Sequence, residues 1–341
     1  MTTPPIPVFD GHNDLLLHLF RDGDSAGDSF ITGREGHLDL ARCRAGGFAG
    51  GMFAIYVPDP ANTDGALACD PVEADHARAV TMQMAATLLR LTRAHPDAIR
   101  LCTNVAEIAA ARAAGAIAAV MHVEGAEGIG PDLAELEVLH AAGLRSLGPV
   151  WSRPNIFGHG VPFLYPSGPD IGPGLSDAGK RLVAECERLG ILVDLSHLNE
   201  AGFWDVARQT ARPLVATHSN VHALCAQSRN LTESQLSAIA ESGGLVGLNF
   251  ACAFLREDGA EDADVPLSVM IRHLAHLIER LGEGGVALGS DFDGALVPAA
   301  IRDAGGLPAL VGAMREAGFG EALIERICWR NWQDLLARVI G

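Results

Sequence analysis

The chain has 341 residues, 48% of them hydrophobic, and a mean hydropathy of +0.19, so it can bury a large core and is not a disordered or low-complexity protein. Its 42 acidic and 25 basic side chains give a net charge of −17, and no Lys/Arg cluster stands out, which argues against nucleic acid and anionic membranes as partners. Seven scattered cysteines without a CxxC pair fit the reduced thiols of a cytoplasmic protein. The start, MTTPPIPVFD, lacks a basic segment followed by an apolar one, and apolar stretches such as 113–123 and 243–251 are too short to span a bilayer.

In chain order, VFDGH near residue 8 reads as a strand and 38–46 as a short helix ended by Gly46 and Gly47. The stretch 50–57 reads as an apolar strand, 58–65 as a loop, and about 70–94 as a long helix. Asn104 is placed to cap a helix through about Arg112, with Glu107 completing a capping box. Strands then start near 116, 144, 191, 213, 244 and 286, separated by helices over 132–141, 176–189, 199–209, 231–241 and 267–281. Residues 307–340 read as two or three further helices. Eight apolar strands alternating with helices favour a (β/α)8 TIM barrel with extra C-terminal helices, as one domain over 1–341. The segments 58–72 and 149–175 are excursions from it. An open doubly wound sheet is the runner-up, but no GxGxxG follows the first strand.

The chemistry collects at the carboxyl ends of these strands, which in such a barrel meet at one mouth. His12 and Asp14 follow VFDG, Glu124 ends AVMHVE, His197 follows VDLS, His218 follows LVAT, and Asp291 follows ALGS. Two residues apart in extended backbone, His12 and Asp14 point to one side and can grip one metal. Glu124 ends an apolar strand, where an unpaired carboxylate costs several kcal/mol and therefore demands a cation, donors or solvent. With His197 and His218 as a second ligand pair and Glu124 as bridge, two divalent ions are accommodated. That suits hydrolysis, because such ions acidify a water and polarise the attacked carbonyl. Zn2+ fits the nitrogen and oxygen donors best, and Mn2+ or Fe2+ are the alternatives. Asp291 is placed to carry a proton to the leaving amine, and Asp10 to support His12 or a loop.

In order and spacing, VFDGHNDLL, MHVEG, VDLSH, THSN followed by SRN, and GSDFDG resemble the membrane dipeptidase (renal dipeptidase) family, peptidase family M19, over essentially the whole chain. The resemblance implies a binuclear zinc barrel, an amidohydrolase-like fold that cleaves small dipeptides, often with a D-residue at the carboxyl-terminal position. It implies His12 and Asp14 on one zinc, Glu124 bridging, His197 and His218 on the other, Asp291 as the proton-transferring acid, and Arg229 receiving the substrate carboxylate. One departure stands out: LRSLGPVWSRPN (144–155) has Val150 or Trp151 where the family has a histidine that binds the substrate carbonyl. His159, Arg153 and Asn155 are the candidate replacements. The alternatives are an amidohydrolase acting on another small N-acyl amino acid or amide, and a weakly catalytic metal-binding protein. TatD-type nucleases share the barrel but open with HxH, where this chain has HND. The sequence leaves room for a homo-oligomer.

Overall fold

The computed structural model describes residues 5–59 and 70–341, so Cys69 and much of the 58–72 excursion lie outside the described residues. Nine parallel strands are present among the described residues: β1 (Val8–Asn13), β2 (Phe48–Tyr56), β3 (Ile99–Leu101), β4 (Ile117–Glu124), β5 (Leu144–Gly148), β6 (Leu192–Val193), β7 (Val215–Ser219), β8 (Leu245–Leu248) and β9 (Val286–Leu288). Their order is β6-β5-β4-β2-β1-β9-β8-β7, and β3 pairs separately with the first half of β4. The two ends of this order meet, because the Leu195 N–H donates to the Val215 carbonyl at 2.9 Å and Asp194 bridges to Val215. The sheet is therefore a closed eight-stranded barrel, with β3 as an appendage. Three residues including an arginine, β3 gave too short a pattern to be foreseen.

Helices alternate with the strands and bury their apolar faces on the barrel's outside. Their starts follow the capping chemistry of the sequence. Ser176, Asn199 and Thr232 each accept a backbone N–H three residues on, and Thr232 forms a full capping box with Gln235. Asn104 caps Val105–Ala113 as expected, but the Glu107 carboxylate reaches back to the Thr103 N–H instead of that of Asn104, so the box is displaced by one residue.

The closing helices stopper the barrel. Phe9, Met52, Val120, Leu192, Val215, Leu245 and Ala287 point inward from seven strands and pack on Trp329, Trp332, Leu335, Leu336 and Val339. The Trp332 indole N–H donates to the Leu288 carbonyl at 2.9 Å. The amino end of the barrel is thereby sealed with apolar surface, and its carboxyl end remains as the mouth. Trp332→Ala should destabilise the protein by about 3–5 kcal/mol and Trp332→Phe by about 1 kcal/mol. Denaturant midpoints measure this, and an unshifted Trp332→Ala midpoint would show that the stopper is not integral to the fold.

Candidate active site

Along β4 the inward column runs Ala118, Val120, His122, Glu124, from the apolar floor to the mouth, as the two-residue period of a strand requires. Tyr56, paired in register with Glu124, ends β2 at the same height. The ladders of β1 and β7 are irregular between Asp10 and Asn13 and between Ala216 and Ser219. Such irregularities re-aim side chains, and these two fall at His12 and His218. Asp14 is no longer in extended backbone: it is the N-cap of the helix Leu15–Arg21, at φ −107° and ψ 30°. A turn, not the strand pleat, brings its Oδ2 to 3.3 Å from His12 Nε2.

Three of the five expected ligands converge on one carboxylate oxygen of a fourth. Glu124 Oε1 lies 2.8 Å from His197 Nε2, 3.4 Å from His218 Nε2 and 3.5 Å from His12 Nε2, and the nitrogens of His197 and His218 are 3.1 Å apart. Ligand atoms of His12, Glu124 and His218 form one compact group, and those of His12, Asp14 and Asp291 a second. Among the described residues, both ring nitrogens of His12 and Oδ1 of Asp14 are buried without a hydrogen-bond partner. A Cβ on Gly294 would lie 2.2 Å from Asp14 Oδ2 and 2.5 Å from Asp291 Oδ1, so the glycine leaves room beside these carboxylates. Buried orphan donor atoms, all of metal-ligating type, fit divalent cations and little else.

The electrostatics agree. Burial disfavours a charged His12, but the Glu124, Asp14 and Asp291 carboxylates outweigh it and push its pKa up to about 10. Burial lifts Glu124 well above the usual carboxylate range and drives His197 and His218 well below the usual imidazole range, the latter pair with help from Arg229 and His12. Near neutrality the His12–Glu124 pair thus retains a proton, while the other two imidazoles are neutral. Asp291 is also raised, by burial first.

A supporting layer orients these groups. The His218 Nδ1 is 2.8 Å from Thr217 Oγ1, which donates to Asp194 Oδ2 at 2.6 Å, a relay that leaves Nε2 to face Glu124. His197 Nδ1 lies 2.8 Å from Ser152 Oγ. The Asn249 amide donates to Asp291 Oδ2 at 2.9 Å, and Asp291 itself is held at φ 60°. Asp10 takes the Ser290 N–H at 2.6 Å and the Ser290 hydroxyl at 2.9 Å, and so fixes the residue before Asp291, and its carboxylate is also hydrogen-bonded to the His12 backbone. Asp293 is structural, binding Arg34 at 2.7 Å and the His37 N–H at 2.6 Å. Sequence reasoning did not single out Ser152, Thr217, Asp194 or Asn249. Asp194 and Asn249 did carry a signal, as polar residues at the ends of the apolar runs ILV and GLVGL.

Above the ligands opens a cavity of about 550 Å3, walled by Tyr56, Trp151, Phe163, Tyr165 and Phe254, with Phe163 and Phe254 stacked at 5.7 Å. The expected replacements for the missing histidine are elsewhere. Asn155 shapes its own loop, donating to the Pro149 carbonyl and accepting the Phe157 and Gly158 N–H groups. Arg153 is a fully buried partner of Glu127 at 2.8 Å and of the Val57 carbonyl. The His159 carbonyl accepts the Asn199 N–H, and its ring lies beside Gly172, outside the cavity lining. Trp151 takes the wall position. Arg229 is 2% exposed and sits behind that wall, donating to His197 Nδ1 at 3.1 Å, Ser219 Oγ at 2.9 Å and the His218 carbonyl at 3.1 Å. Among the described residues, two of its five N–H groups have no acceptor.

Barrel and site together define a metal-dependent hydrolase. Residues 3–340 match the family model of the membrane dipeptidases, peptidase family M19, and the chain belongs to that family. It is 44% identical over 270 residues to an uncharacterized protein in the pqqA 5′ region of Klebsiella pneumoniae, covering 79% of this chain and 97% of that one. A metallo peptidase from Rhodobacter sphaeroides, crystallised with a phosphinate mimic of the dipeptide L-Ala-D-Ala, superposes with a TM-score of 0.95 at 52% identity, over 98% of this chain and 99% of that one. A second M19 structure, dipeptidase AC, gives 0.94 at 54% identity over the same shares.

Because ligation needs a neutral His12 and an ionised Glu124, metal uptake by chelator-stripped protein should release about one proton or more and weaken as pH falls. Calorimetry in buffers of different ionisation heat reads this, and uptake without proton release would contradict the assigned ligands.

Proposed function

We propose that this metal-dependent dipeptidase hydrolyses the peptide bond of small dipeptides, including those with a D-residue at the carboxyl-terminal position, with two Zn2+ ions per chain. The observation that carries the reading is the convergence of His12, His197 and His218 on one oxygen of the buried Glu124, with Asp14 beside them. The phosphinate mimic bound by the Rhodobacter sphaeroides peptidase supports the substrate class. His12 and Asp14 would hold one ion, His197 and His218 the other, and Glu124 both. Bound there, the ions supply a water of lowered pKa and polarise the scissile carbonyl.

This chain's own groups do the rest. Asp291 has one oxygen held by Asn249, and burial raises its affinity for a proton, so it is suited to take one from the attacking water and deliver it to the departing amine. The two unengaged N–H groups of Arg229 are the proposed receptors of the substrate's carboxylate. The aromatic walls exclude water from the reacting centre. The free, buried state of the six described cysteines supports a reducing compartment such as the cytoplasm, and no described helix is long and apolar enough to cross a membrane.

A screen of L,L and L,D dipeptides alongside N-acyl amino acids, on zinc-loaded enzyme of measured metal content, tests the reading. Hydrolysis of dipeptides with about two ions per chain is expected. Cleavage of the acyl compounds alone would favour the amidohydrolase alternative, and fewer than one ion per chain would sink the binuclear site. Asp291→Asn should lower kcat by at least about a hundredfold while the metal content stays near wild type. Near-normal turnover in that variant would remove Asp291 from proton transfer.

A further inference from the structure

Gln227 is a polar residue of the cavity that the ligand set does not use. It is 4% exposed and lines the cavity beside Phe254 and Phe163. Its Oε1 accepts the Arg229 backbone N–H at 2.9 Å and the Ser228 hydroxyl at 3.1 Å. Its own N–H donates to the Cys225 carbonyl at 2.7 Å, and its carbonyl takes the Asn230 N–H at 2.9 Å. Every polar atom of the residue is thus engaged, with the exception of Nε2, which has no acceptor among the described residues. The orientation of the amide is fixed, because reversing it would set its NH2 group against the Arg229 backbone N–H. This donor belongs to a side chain that lines the cavity, where an acceptor on a ligand can complete it.

We propose that Gln227 Nε2 is a substrate-recognition donor that binds the terminal carboxylate of the dipeptide together with Arg229, an inference that rests on the dipeptidase reading above. An NH2 group only donates, so its ligand is an acceptor. A carboxylate offers two oxygens with about four acceptor sites, more than the two unengaged N–H groups of Arg229 satisfy. Gln227, tied to the Arg229 backbone, lines the cavity beside Phe254, and the Arg229 guanidinium lies over the Phe254 ring at 5.9 Å. An uncharged donor adds recognition of the carboxylate without repelling the substrate's ammonium group.

Gln227→Glu keeps the side-chain shape and the acceptor for the Arg229 N–H, and replaces the donor by an anion. For L-Ala-D-Ala its KM should rise by roughly tenfold to a hundredfold with kcat little changed. Metal content and Tm should stay at wild-type values. The ratio of kcat/KM for the free acid to that for the carboxyl-amidated dipeptide should fall by about tenfold or more. An unchanged ratio overturns the proposal, as does a loss confined to kcat, which would mark Gln227 as a merely structural support. Failure of the wild-type enzyme to cleave any dipeptide overturns the dipeptidase reading itself; wild-type cleavage with an unchanged ratio in Q227E overturns only the assignment of Gln227.

Discussion

A carboxylate sealed inside a protein must be compensated, and Glu124 sets that condition for the whole mouth of this barrel. Burial alone would leave it protonated, and three imidazole nitrogens within 3.5 Å of one oxygen make sense only around cations or a shared proton. Each ligand must therefore be held in one tautomer and one rotamer. The Asp194–Thr217–His218 relay, Ser152 beside His197, and Asn249 beside Asp291 are the devices that do so. Asp10 belongs with them at one remove. By gripping Ser290 from the neighbouring strand it fixes the backbone from which Asp291 departs at positive φ.

Precision at one end of the barrel depends on closure at the other. The apolar stopper of Trp329, Trp332 and Leu336 fills the amino end with close-packed side chains and leaves the strands little freedom to slide. The irregularities that aim His12 and His218 then occur against a fixed frame. The 149–175 segment adds the substrate chamber: Val161 bonds to the His197 carbonyl, Leu164 to Ser228 and Ser167 to Ala226, so a loop from β5 lies across the ends of β6 and β7. Through these bonds Trp151, Phe163 and Tyr165 reach the cavity. Ser228 joins this loop to the segment that carries Gln227 and Arg229, which couples substrate recognition to the same frame.

Much of this was legible in the chain. The eight barrel strands and the helices at 177–189, 200–209 and 267–281 follow from apolar runs and caps, because local periodicity and backbone hydrogen bonding dictate them. The ligand types were legible too, since His12, Glu124, His197, His218 and Asp291 are polar residues at the ends of apolar strands. The pairing of His12 with Asp14 was inferred from the strand pleat, yet the side chains meet through a bulge and a helix cap. The reach of His159, Asn155 and Arg153 was not legible at all, because a loop's side chains are placed by what it packs against.

The sequence by itself determined the alternation of strands and helices, the chemistry of the ligand atoms and the family to which they belong, since these depend on residue type and near-neighbour spacing. Tertiary structure alone decided that Arg153 is buried against Glu127, that Trp151 is a wall, and that Gln227 turns an unpaired amide into the cavity. Those outcomes depend on contacts between residues far apart in the chain, and such contacts exist only once the barrel has closed.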